Sequence, residues 1–256
     1  MLGAMIGDIV GSVYEWNNIK TTEFEFFSEK CFFTDDTVLT AATAHVLLTD
    51  RNYAEVYQDF SRRYPRRGYG GNFSSWIYTD NPQPYNSWGN GSAMRVSPIG
   101  FAFNTIEDVL AEAKRSAVVT HDHPEGIKGA QATALAILMA RQGASQLEIR
   151  DEITKRFDYD LNRTLAEIRP GYTFDVSCQG SVPEAIIAFL ESENYEDAIR
   201  KAISIGGDSD TIACITGGIA EAFYGGVPEH IAEKGKRILS DEFIKIIEEF
   251  SARYLK

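Results

Sequence analysis

The sequence predicts an all-α protein folded as a single compact multi-helix domain. Apolar residues recur at helical spacing over most of the 256-residue chain, while alternating, strand-like segments are scarce. Residues 24–33 are the only serious strand candidate. No repeat, low-complexity tract or charge block marks a linker, so residues 1–256 are expected to form one domain, a length that one core can serve.

The elements follow in order. In the opening GAMIGDIVGSVYEW, Gly3, Gly7 and Gly11 recur every four residues, which puts them on one helical face suited to close packing. Asp8 interrupts that apolar run and reads either as buried near other acids or as exposed. Residues 38–48 read as a helix with Thr34 or Asp35 at its N-cap. Residues 53–63 carry Tyr53, Val56, Tyr57 and Phe60 at helical spacing. From 65 to 98 the composition turns to Gly, Asn, Ser, Pro and aromatics, and this predicts a long loop. Loops of that length inside a compact domain are usually functional. Helical patterns resume at 106–118, 127–141, 145–157, 182–191, 195–204, 211–223, 228–239 and 241–254. The run 129–140 is apolar nearly all round, as a central helix would be.

Composition narrows the function. A net charge of −12 argues against an extended nucleic-acid surface, though a local pocket can still take phosphates through backbone amides and a metal. Cys31, Cys178 and Cys214 are an odd number, too far apart for a zinc motif, and are expected to be buried thiols. No basic leader precedes Asp8, and no stretch approaches the roughly 18 apolar residues of a membrane helix. The expected location is the cytoplasm.

Two acidic clusters carry the chemistry. Thr34-Asp35-Asp36-Thr37 and Asp208-Ser209-Asp210-Thr211 each open a helix-like run. One acid per helix start is explained by capping and the helix dipole. Two acids plus a threonine at both places are explained poorly that way, because adjacent carboxylates repel unless a cation lies between them. All-oxygen donors favour Mg²⁺, with Mn²⁺ or Ca²⁺ admitted, over zinc. Gly206-Gly207 would let the backbone turn tightly and present Asp208 and Asp210 to one point.

Ser87-Trp88-Gly89-Asn90-Gly91 suits a backbone cradle for a diphosphate. Tyr69, Trp76, Tyr85 and Trp88 offer flat faces for a base, or cover an irregular loop. In Thr120-His121-Asp122-His123-Pro124, a histidine at a helix start is expected to hydrogen-bond rather than bind metal. Read from the residues alone, Glu15 is a surface carboxylate. His45 and His230 are expected to be structural.

These pieces, in this order, resemble the ADP-ribosylglycohydrolase family across nearly the whole chain: GAMIGDIVGSVYE, TDDT, GYGGN, SWGNGSAMR, VTH and GGDSDT. The resemblance implies an all-α fold with a dinuclear metal cleft at its centre, holding two Mg²⁺ (Mn²⁺ possible). Thr34, Asp35 and Asp36 match the first ligand cluster, and Asp208, Asp210 and Thr211 the second. Glu15 matches a glutamate close to the metals, so that it and Asp36 become the candidates for proton handling. Gly68, Tyr69 and Gly70, with Ser87, Trp88, Gly89, Asn90, Gly91 and His121, match the substrate-binding positions. Trp88 departs from the tyrosine of some relatives, and His123 has no assigned role.

The expected activity is Mg²⁺-dependent release of ADP-ribose from an ADP-ribosylated protein or small conjugate. Family members act on arginine-linked, serine-linked or related substrates, and the acidic charge favours arginine. The rivals are a binding relative without activity and an all-α Mg²⁺-dependent nucleotide pyrophosphatase. The pyrophosphatase lacks support because no repeated Glu-rich motif is present.

Overall fold

The computed structural model describes residues 1–255, and these fold as helices joined by turns and irregular segments. In chain order they are α1 Leu2–Gly11, α2 Asp35–Thr49, α3 Tyr53–Arg63, α4 Gly71–Trp76, α5 Gly91–Met94, α6 Ser97–Ala102, α7 Ile106–Ala117 and α8 Pro124–Arg141. They continue with α9 Gln146–Phe157, α10 Leu165–Ile168, α11 Cys178–Leu190, α12 Tyr195–Ser204, α13 Ser209–Phe223, α14 Glu229–Lys236 and α15 Asp241–Tyr254.

Helix α8 lies at the centre and packs on α5, α6, α7, α9, α11 and α13, which is why its residues 129–140 are apolar nearly all round. Helices α3, α7, α12 and α15 are amphipathic, as surface helices must be. Asp50 and Asp158 end α2 and α9 in left-handed conformation.

The α1–α13 pair sets the site. A methyl group built on Gly3 would lie 2.6 Å from the Gly217 carbonyl oxygen, one on Gly7 2.1 Å from that of Ala213, and one on Gly11 2.5 Å from Asp210 Cα. No other residue type allows backbones this close, so the glycine stripe lays the end of α1 against the start of α13. Chain segments some 200 residues apart thereby meet at Asp210.

Three expectations are corrected. Residues 24–33 form no strand. Their exposure alternates only at the two ends, over 24–26 and 31–33, and Arg200 Nη1 donates to the carbonyls of Thr22 and Phe24 while its guanidinium covers the rings of Phe24 and Phe26. A side chain thus takes the place of a neighbouring strand, and the described residues hold only an isolated bridge, Gly89 to Ser177. The 65–98 segment is not one loop, because α4, α5 and the start of α6 lie within it. Helix α11 begins at Cys178 rather than 182, because Ser177 caps it by accepting from Gly180 N–H. Pro183 sits inside the helix.

Candidate active site

The two acidic clusters converge. One carboxylate oxygen each from Asp8, Asp36 and Asp210 lie within 4.8 Å of one another, and so do oxygens of Glu15, Asp208 and Asp210. Asp210 belongs to both groups. Glu15, Asp35, Asp36, Asp208, Asp210 and Thr211 help to line a cleft of about 410 Å³, with Asp8 buried behind them.

The first cluster is held by Asp8, a residue that the sequence left undecided. Its carboxylate is fully buried. Oδ1 accepts from the Thr34 hydroxyl at 2.6 Å, and Oδ2 accepts from Thr34 N–H, Thr37 N–H and the Thr37 hydroxyl. Three of these donors go to Oδ2 and one to Oδ1, so Asp8 orients the start of α2 while one of its oxygens still lies within 4.8 Å of oxygens of Asp36 and Asp210. Thr34, the N-cap, also accepts from Asp36 N–H, so its hydroxyl is largely committed to the fold. The available signal was that Asp8 is the sole charge on a helix buried on almost every face.

The second cluster is built differently. Asp208 occupies the N-cap of α13, yet its side chain makes no capping bond. Instead Asp208 Oδ2 accepts from Asn90 Nδ2 at 2.7 Å. Gly206 and Gly207, at φ 76° and 70°, make the turn before it, a conformation disfavoured for other residues. Asn18 pins that turn by accepting from Gly207 N–H and donating to its carbonyl, which also anchors the segment carrying Glu15.

Like charges and burial act together on these acids. Burial first, and then the neighbouring carboxylates, push Asp35, Asp36 and Asp210 well above the usual carboxylate range. Burial, Asp210 and Asp8 push Glu15 up to about 7. Burial pushes Asp208 up to about 6, against the hydrogen bond from Asn90. Asp36 Oδ1 is buried and has no hydrogen-bond partner, while Thr211 donates to Asp36 Oδ2 at 3.3 Å. Repelling carboxylates with an orphaned oxygen fit a hard divalent cation, which would satisfy both.

The glycine-rich loop forms another part of the cleft. Gly68, Gly70, Ser87, Gly89, Asn90, Gly91 and His121 line it. Asn90 bonds Ser181 as well as Asp208, so the hydrogens of its amide are taken up by the protein rather than pointed at a ligand. His121 is buried, and burial first, then Arg95, hold its imidazole well below its ordinary value and therefore neutral. His123 caps α8 by accepting from Glu125 N–H.

The aromatic expectations divide. Tyr85 lines the cleft. Tyr69 and Trp76 do not line it: both stack against Phe73, and the Tyr69 hydroxyl donates to Tyr64 O. Trp88 is 48% exposed and outside the lining. Sequence reasoning missed Trp16 and Phe174, which stack at 5.1 Å on the cleft rim. Their only signal was exposure, which a sequence does not show. Cys31, Cys178 and Cys214 are buried free thiols, as expected. No helix among the described residues is long and apolar enough to cross a membrane.

Known proteins resemble this chain in sequence and in fold. The sequence profile of the ADP-ribosylglycohydrolase family matches residues 1–255. The mouse ADP-ribosylhydrolase ARH3 is 29% identical over 305 residues, covering 88% of this chain and 82% of its own. The human ADP-ribosylhydrolase ARH3 is 29% identical over 309 residues, covering 88% and 84%. A solved structure described as an ADP-ribosylglycohydrolase-related protein complex superposes with a TM-score of 0.71 at 24% identity, covering 99% of this chain and 96% of that one. At that identity the superposition speaks for the all-α fold alone.

Proposed function

The chain belongs to the ADP-ribosylglycohydrolase family and is an enzyme of that class; from that premise we propose Mg²⁺-dependent hydrolysis of the bond between ADP-ribose and a modified side chain. The observation that carries this reading is the meeting of two carboxylate sets, sharing Asp210, beside the orphaned Asp36 Oδ1.

Asp35, Asp36, Asp208, Asp210 and Thr211 would hold two Mg²⁺, with Mn²⁺ a substitute and Thr34 contributing through the position of α2. When bound, the ions supply positive charge to orient the ribose hydroxyls or a water beside C1 of the distal ribose. Gly89 and Gly91 allow the diphosphate to approach the backbone, and His121 faces the same space. Cleavage at C1 builds positive charge on the sugar. Glu15, half-buried beside Asp208 and Asp210, is the carboxyl placed to give a proton to the departing group; Asp36 is the alternative.

For the acceptor, the anionic cleft favours the guanidinium of ADP-ribosyl-arginine. Bound ions would remove most of that charge and with it the preference for a cationic leaving group, so serine-linked substrate is the second reading. The test follows free ADP-ribose by chromatography from arginine- and serine-linked substrates, with Mg²⁺ and then with EDTA. Mg²⁺-dependent release from either supports the reading, and the faster substrate assigns the acceptor. No release from both, with ADP-ribose still bound, would leave a binding protein.

A further inference from the structure

Arg95 is the largest fully buried side chain of the described residues, and among them no carboxylate pairs with it. Burying an unpaired guanidinium is costly, so its place needs a reason. Its Nη2 donates to Ser116 O and to Thr120 Oγ1, both at 2.9 Å, and the Tyr57 ring lies 4.3 Å from its guanidinium carbon. Nε and Nη1 have no partner. Arg95 lies against the cleft on the side of the glycine-rich loop.

Thr120 passes this arrangement on. Its Oγ1 lies 2.7 Å from His121 Nδ1. Its carbonyl accepts from Tyr85 N–H and Ser87 N–H, so the same residue also holds the strand of chain entering the loop. A hydroxyl that accepts from a cation has its own hydrogen polarised, and His121 Nδ1 is an acceptor within reach of it. The opposite assignment, with Nδ1–H donating to Thr120, would load one oxygen with two donors and leave the hydroxyl hydrogen unused. The other ring nitrogen faces the loop: a methyl group on Gly91 would lie 3.1 Å from Nε2, and one on Gly89 3.6 Å.

We infer that Arg95 and Thr120 are positioning residues that fix His121 as the Nε2–H tautomer, a neutral donor aimed over Gly89 and Gly91 at an anionic group of the substrate. The ligand part of this inference rests on the reading of the loop as the ADP-ribose site, whereas the tautomer part does not. The arrangement gives the loop a donor that cannot turn into an acceptor, together with a buried positive charge beneath it. Both select for a diphosphate over a neutral sugar.

The test is ¹H–¹⁵N NMR of the histidine-labelled full chain at neutral pH, with Thr120→Val and Thr120→Ser beside it. The wild type should show His121 protonated on Nε2 alone. Thr120→Val keeps the shape and removes the relay, so the tautomer should become mixed or reversed and KM should rise roughly tenfold, the loss falling on KM rather than kcat. Thr120→Ser restores the hydroxyl and should restore both. Wild-type His121 found protonated on Nδ1 overturns the proposal, and that measurement needs no variant to fold. An unaltered tautomer and unaltered KM in folded Thr120→Val also overturn it. An Nε2–H tautomer in a protein that does not bind ADP-ribose would overturn the ligand and the reading beneath it, while the relay would stand.

Discussion

The two acidic clusters share a composition but not a construction. At α2, Thr34 caps the helix and Asp8 ties its first turn through four donors, so the cluster is sewn into the buried core. At α13, no side chain caps the helix, and Asp208 is braced from across the cleft by Asn90. Similar motifs can therefore depend on quite different parts of a chain. The first cluster should be coupled to folding, and the second to the integrity of the loop.

The largest expected effect treats the clusters alike. Asp36→Asn and Asp210→Asn should each cut kcat/KM about a thousandfold, a loss of several kcal/mol of transition-state stabilisation. Unchanged turnover in either would break the idea of a shared centre.

The next changes separate the clusters. Asp8→Ala leaves four buried donors unmatched and should cost about 3 kcal/mol or more in chemical denaturation, with activity lost alongside. Asn90→Ala should cost only about 1 kcal/mol of stability while lowering activity at least tenfold, because Asp208 loses its brace. Equal stability losses would erase the distinction. Gly7→Ala tests the α1–α13 seam that joins the clusters. Its new methyl would meet the Ala213 carbonyl, and a loss of about 1–3 kcal/mol should appear in the same titration.

The smallest effect is the pH dependence of the metal-free protein. Folded-state values of about 7 for Glu15 and about 6 for Asp208 lie above unfolded values of about 4. Their stability contribution is complete below the unfolded values and is lost as pH rises through the folded ones. The melting temperature of EDTA-treated protein should fall between about pH 4 and about pH 7, and Mg²⁺ should raise it most at the upper end. A flat profile unaffected by Mg²⁺ would contradict the assignment.

Most of the fold was legible because helical periodicity and caps are local. Helices α3, α12 and α15 begin and end where the apolar spacing places them. The glycine stripe was visible too, since intervals of four need no partner to be recognised. What the sequence did not show depends on distant chain. Residues 24–33 looked like a strand, but no neighbouring segment of the described residues pairs with them and Arg200 takes up the Phe24 carbonyl. Asp8 and Asn90 have roles fixed by groups 26 to 118 positions away, and Trp16 finds Phe174 only in the folded chain. The acidic motifs were visible by composition, whereas their supports became visible only in three dimensions.

The most direct test of the shared centre is titration of EDTA-treated protein with Mn²⁺, followed by EPR. Two ions per chain are expected, and Asp210→Asn should weaken both, because that carboxylate belongs to both groups of converging acids. Binding of a single ion, or two ions held as tightly by Asp210→Asn as by the wild type, would show that the clusters do not share one centre.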